Sequence, residues 1–111
     1  GKYKVISPRN EKDFETLSDS VDANYKIVLG VYQLPSFAKE YQKFLTRELH
    51  YESKLVQLND HPKKFIYVCV QKEFNDLKEA LNELKKIRKN IKSKSVEITK
   101  GEAWILQTVN K

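Results

Sequence analysis

Cysteine, histidine and glycine are scarce: the 111 residues include one Cys, two His and three Gly. The lone Cys69 excludes an internal disulfide. It lies in an apolar run with nothing nearby to lower its pKa, so it reads as a buried, inert thiol. His50 and His61 have no metal-ligand spacing, and no Ser-His-Asp arrangement, Gly-rich phosphate loop or Cys-rich site accompanies them. No catalytic residue, metal or other cofactor is therefore expected, and the chain reads as non-enzymatic. No apolar run approaches the roughly 20 residues that span a bilayer, and the first residues lack the apolar core of a signal peptide.

What is present is an ordinary balance for one soluble domain, 40% hydrophobic and 32% charged. The net charge of +6 suits an anionic partner: nucleic acid, anionic lipid or an anionic wall polymer. Lys85, Lys86, Arg88, Lys89, Lys92 and Lys94 form a basic run, read first as a solvated helix face that complements the helix dipole.

Hydrophobic spacing gives the element order. Lys2–Ile6 is compatible with a short strand, and Phe14, Leu17 and Val21 recur at helical spacing over about 11–21. Tyr25–Leu29 is β-rich, with Gly30 at its expected end. Pro35 suits a helix start, and Phe37, Ala38, Tyr41, Phe44, Leu45 and Leu49 fall on one helical face. His50 follows that helix. Leu55, Val56 and Leu58 suggest a second strand, and Asn59, Asp60, His61 and Pro62 a turn. Phe65–Gln71 is the strongest strand signal. Asn75 is the expected cap of a helix whose stripe is Leu77, Ala80, Leu81, Leu84, Ile87 and Ile91. Residues 92–101 read as a loop, with Val96–Ile98 as a strand extension, and Ala103–Val109 as the last strand.

Strand-helix-strand occurs twice. This predicts an α+β, ferredoxin-like βαββαβ domain over 25–109: a four-stranded antiparallel sheet, two helices on one face, and an N-terminal extension over 1–24. The halves repeat at an offset of 42: Tyr25 with Tyr67, Tyr32 with Phe74, Ala38 with Ala80, Leu45 with Ile87 and Leu49 with Ile91. A repeat that keeps packing positions argues for duplicated units.

The run Tyr25-Lys-Ile-Val-Leu-Gly-Val-Tyr32, the run Tyr67-Val-Cys-Val-Gln-Lys-Glu-Phe74 and the ending Glu102-Ala103-Trp104-Ile105-Leu106 together resemble the SPOR (sporulation-related) domain, over about residues 25–107. The resemblance implies a non-catalytic module of the bacterial envelope or periplasm that binds peptidoglycan glycan strands stripped of their stem peptides, as at division septa. It implies a binding surface on the open sheet face. Together with strand parity it nominates Lys26, Val28, Val31, Gln57, Ile66, Val68, Val70 and Trp104. In this reading Tyr67 and Cys69 point to the helices. Polar positions of the family fall on Val28 and Val31, and its aromatic and Arg contacts fall near Ile66 and Val68, which supply no hydrogen bonds.

That aliphatic face leaves alternatives open. Residues 2–24 fold back over it, or it mediates contact with envelope proteins or a second copy. An RNA-binding RRM shares the element order, and Lys63–Val70 echoes its basic-aromatic octamer. Its Gly is Lys64 here and its last aromatic is Val70. It also requires Phe65 and Tyr67 outward, against the repeat, so nucleic acid is not the expected partner.

Overall fold

A computed structural model describes residues 3–58, 63–94 and 102–109. The turn expected at 59–62, His61 included, and the strand extension expected at Val96–Ile98 lie outside the described residues. Five strands and three helices follow in the order β1 (Tyr3–Ile6), α1 (Glu11–Thr16), β2 (Ala23–Tyr32), α2 (Pro35–Phe44), β3 (Ser53–Val56), β4 (Ile66–Val70), α3 (Leu77–Lys94) and β5 (Trp104–Val109). One sheet has the order β1-β5-β2-β4-β3, every neighbouring pair antiparallel. The sheet therefore has five strands where four were expected. The fifth comes from the N-terminal segment, which pairs Tyr3–Ile6 along β5.

Helix stripes are buried as their spacing predicts. Ala38, Tyr41, Leu45 and Leu49 of the second helical segment and Leu77, Ala80, Leu81, Leu84, Ile87 and Ile91 of α3 enter one core with Tyr25, Ile27, Leu29, Val68 and Ile105 of the sheet. Phe37 does not: it is 57% exposed. Pro35 occupies the first turn of α2, as expected. Leu45–Leu49 continues that helix as a π-helical turn. It ends at His50, whose left-handed backbone (φ 59°) lets its N–H donate to the Leu45 carbonyl.

Local capping differs from expectation in two places. Asn10 caps α1, accepting from the Asp13 N–H at 2.9 Å, but the helix stops at Thr16; Leu17 is extended and Val21 is 87% exposed. At α3 the caps are Asp76, which accepts from the Lys78 N–H at 3.0 Å, and Asp19, which accepts from the Leu77 N–H at 2.7 Å. Asp19 thus ties the N-terminal segment to the helix layer. Arg88 ties it again, donating to the carbonyls of Pro8 and Ala103 while pairing with Glu102 at 3.4 Å. Arg88 is the member of the basic run that is not a solvated surface group, and burial holds its pKa below the ordinary arginine value.

Gly30 does not end β2. It sits inside the strand at a bulge: Val28 pairs with Cys69, Gly30 with Val68, Val31 with Tyr67 and Tyr32 with Ile66. A Cβ there would lie 2.8 Å from the Tyr41 ring. The Tyr41 hydroxyl donates to the Leu29 carbonyl at 3.1 Å, so close approach of helix to strand requires the glycine.

Candidate binding face

The bulge decides which side chains meet solvent. Partners across an antiparallel pair share a face. Before the bulge, Tyr25, Ile27 and Leu29 face the helices while Lys26 and Val28 face away. The extra residue then turns Val31 to the open side and Tyr32 to the helices.

In β4 the expected parity is reversed. Ile66 and Val68 lie in the helix-facing core and Val70 packs against it, whereas Tyr67 and Cys69 belong to a second cluster on the other face. Ile66, Val68 and Val70 are therefore removed from the candidate surface. The physical reason is a slip in the repeat. In facing, Tyr25, Ile27 and Leu29 correspond to Ile66, Val68 and Val70, an offset of 41; from Tyr32 and Phe74 onward the offset is 42. Matching Tyr25 to Tyr67 joined residues on opposite faces.

The second cluster comprises Val28, Tyr67, Cys69 and Leu106, with Tyr3, Val56, Leu58, Phe65 and Trp104 packed against it. Trp104 pairs with Val28 across β5 and β2. Tyr67 and Trp104 rise from strands on either side of β2, about 10 Å apart at the backbone. Their ring centroids are only 6.0 Å apart, at 83°. The rings therefore lean together above Val28, which is 0% exposed. This edge-to-face pair forms an aromatic shelf over a small aliphatic floor.

A polar cluster borders the shelf. Lys26 Nζ donates to Asn24 Oδ1 at 2.6 Å and to Thr108 Oγ1 at 3.4 Å, and lies 3.7 Å from Glu73; Lys54 pairs with the same carboxylate. Burial holds Lys26 below the ordinary lysine pKa, with Cys69 pulling the other way. Gln57 is exposed just past β3. Burial pushes the Cys69 thiol up to about 12 against the smaller opposing pull of Lys26 and Lys54, so it stays protonated and unreactive at neutral pH. Among the described residues no three His, Cys, Asp or Glu side chains are grouped to hold a metal ion.

The N-terminal segment does not roof this face. Phe14 and Leu17 pack on the helix-side core, Lys85 lies 4.4 Å over the Phe14 ring, and among the described residues of the segment only Tyr3 reaches the second cluster. Of the alternatives left open for the aliphatic face, coverage by the N-terminal extension is not seen in its described residues, 3–24: the aliphatic floor is covered by the sheet's own aromatic rings.

Of the eight nominated residues, Lys26, Val28, Val31 and Trp104 share the open face, with Val28 beneath the shelf. Tyr67, Asn24, Thr108, Lys54 and Glu73 were missed. Residue pairing alone would have found Asn24, two positions before Lys26. Tyr67 carried no usable signal, because the whole run Phe65–Val70 is apolar. No family model, curated protein or solved structure matches the chain. No helix among the described residues is long and apolar enough to cross a membrane.

Proposed function

We propose that the chain is a ferredoxin-like, SPOR-like, non-catalytic module of the bacterial envelope whose open sheet face binds glycan strands of peptidoglycan stripped of stem peptides. The strand order β5-β2-β4-β3, with α2 and α3 on one face, supports the fold assignment. One observation carries the ligand assignment: the Tyr67–Trp104 shelf stands beside Lys26, Asn24, Thr108, Lys54 and Glu73. A sugar ring offers apolar C–H faces to an aromatic surface and hydroxyl or amide groups to polar neighbours. The aliphatic residue at Val28 does not weaken this reading, since Val28 lies under the rings and the polar contacts come from the adjacent row. The same burial argues against a broad apolar protein-contact face, because Val28, Cys69 and Leu106 are no more than 1% exposed.

A second reading, single-stranded RNA, is favoured by one feature. Phe65 and Tyr67 both pack on the open-face cluster, the parity that an RRM requires for base stacking. Lys64 and Val70 still depart from that octamer.

Co-sedimentation with purified sacculi, amidase-stripped or untreated, tests the proposal. Binding to stripped sacculi that survives excess RNA and is lost in Trp104→Ala supports it. Folded protein that pellets with neither preparation would sink it. If that protein binds RNA, the second reading stands; if it binds neither, the remaining alternative is protein contact through the sheet face.

A further inference from the structure

We infer that one end of the module docks on an anionic lipid surface. This surface meets the open face at Val31 but otherwise lies beyond it, on Leu34, Phe37 and the neighbouring lysines, and it does not depend on the glycan reading. Six large apolar side chains among the described residues are exposed, and three of them fall within seven positions: Val31 (40%), Leu34 (54%) and Phe37 (57%). Single exposed apolar residues are normal, but this grouping marks one place, where β2 leaves the sheet and α2 begins.

Cations collect at the same end. Tyr32, the last residue of β2, pairs with Ile66, the first of β4, so exposed Lys64 sits beside that exit. The helix α3 starts near Phe74, which bridges Tyr25 at the opposite end of β2. It passes Ala103 where Arg88 donates to that carbonyl, and continues through six more residues, about 9 Å, to exposed Lys92 and Lys94. Residues 85–94 carry six cations and no carboxylate. Within them Arg88 is committed to internal contacts and Lys85 to Glu11 and Phe14, which leaves the terminal lysines facing solvent.

Apolar tips ringed by lysines suit an interface of anionic headgroups over acyl chains. Lysines act as mobile point charges and need no fixed bidentate partner, which fits a fluid surface better than a shaped protein pocket. The tips project from a strand–helix junction, where a few side chains can enter the headgroup layer without unfolding the sheet.

Flotation with vesicles of equimolar phosphatidylcholine and phosphatidylglycerol, against phosphatidylcholine alone, tests this. The protein is expected to float only with the anionic vesicles, and less as salt rises. Lys92→Glu with Lys94→Glu should weaken partition by about fivefold or more per lysine. Leu34→Ser with Phe37→Ser should weaken it by roughly tenfold or more. Both variants should keep the wild-type melting curve and wild-type binding to stripped sacculi. No flotation, equal flotation with both vesicles, or wild-type flotation by either double variant would overturn the inference. Retention on RNA in place of vesicles would also overturn it, assigning the cations to a nucleic acid.

Discussion

The two faces of the sheet are both buried, but by different means. On one side, α2 and α3 lay long apolar stripes over Tyr25, Ile27, Leu29, Val68 and Ile105. On the other, no described helix is present, and Val28, Cys69 and Leu106 are shielded by Tyr67, Trp104 and shorter neighbours. The first arrangement is interior packing, where every removed methyl leaves a cavity. The second is a floor under two aromatic rings, of which Tyr67 is itself 8% exposed and Trp104 is partly open to solvent. Burial alone therefore does not separate the core from the proposed binding surface; what does the covering separates them.

The sharpest contrast is a matched pair of truncations. Leu84 and Val28 are both 0% exposed. Leu84→Ala should destabilise by about 2–5 kcal/mol, since the helix layer cannot collapse into the space. Val28→Ala should lose about 1–2 kcal/mol, two methyl groups at about 0.8 each, because the rings above can settle. Urea denaturation of both variants gives the difference. Equal losses would mean that the open face packs as rigidly as the helix side.

Trp104→Ala makes the reciprocal test. It should weaken binding to stripped sacculi by about 2 kcal/mol, roughly thirtyfold, as a central aromatic contact does, and leave the helix-side core intact. Ile66→Ala should do the opposite, lowering stability without changing the affinity of the folded protein. A loss of sacculus binding in folded Ile66→Ala would break the division between the faces.

How much of this division was legible follows from particular residues. The helix stripes were readable because apolar residues three and four apart alternate with charged ones, as in Leu77 to Ile91. The facing of β4 was not, because Phe-Ile-Tyr-Val-Cys-Val is apolar at every position and parity needs contrast. The bulge at Gly30 added a one-residue slip that residue types do not announce. The edge strand β1 was visible as a short strand, yet nothing in Tyr3–Ile6 states that its partner is β5, about a hundred residues away. Trp104 was nominated for the open face, but its sequence left the facing undecided; it is the burial of Ala103 and Ile105 toward the helices that turns the indole to the open side.

Alkaline titration sharpens the comparison, because both faces hold buried groups that resist ionisation, Tyr41 and Tyr32 on the helix side and Cys69 and Tyr67 on the open side. Burial raises Tyr41 on the helix side and pushes Cys69 on the open side up to about 12 from 9.0. A raised pKa means that the folded protein keeps a proton the unfolded chain has released. The stability is complete below pH about 9 and falls by up to about 1.4 kcal/mol per pH unit for each such group as pH rises. Lys26 opposes this: its pKa is lowered by burial, so its contribution rises with pH below 10.5. Cys69→Ala should flatten the decline between pH 9 and 12 by one group's slope, measured by urea midpoints across pH. An unchanged slope would show that solvent reaches the thiol through the shelf.

The smallest expected effect concerns the N-terminal segment, which belongs to the helix side of the comparison. The Asp19 carboxylate accepts the Leu77 N–H at 2.7 Å at the start of α3, and removing such a cap typically loses about 1 kcal/mol. Asp19→Ala should shift the denaturation midpoint by that amount and leave binding to stripped sacculi unchanged, because residues 11–19 lie along α3 and away from the Tyr67–Trp104 shelf. A variant that stays folded but loses sacculus binding would mean that the segment positions the open face through β1, where Tyr3 pairs with Thr108 beside Lys26. In that case the edge strand would count as part of the site, and the line between the two faces would run through β5.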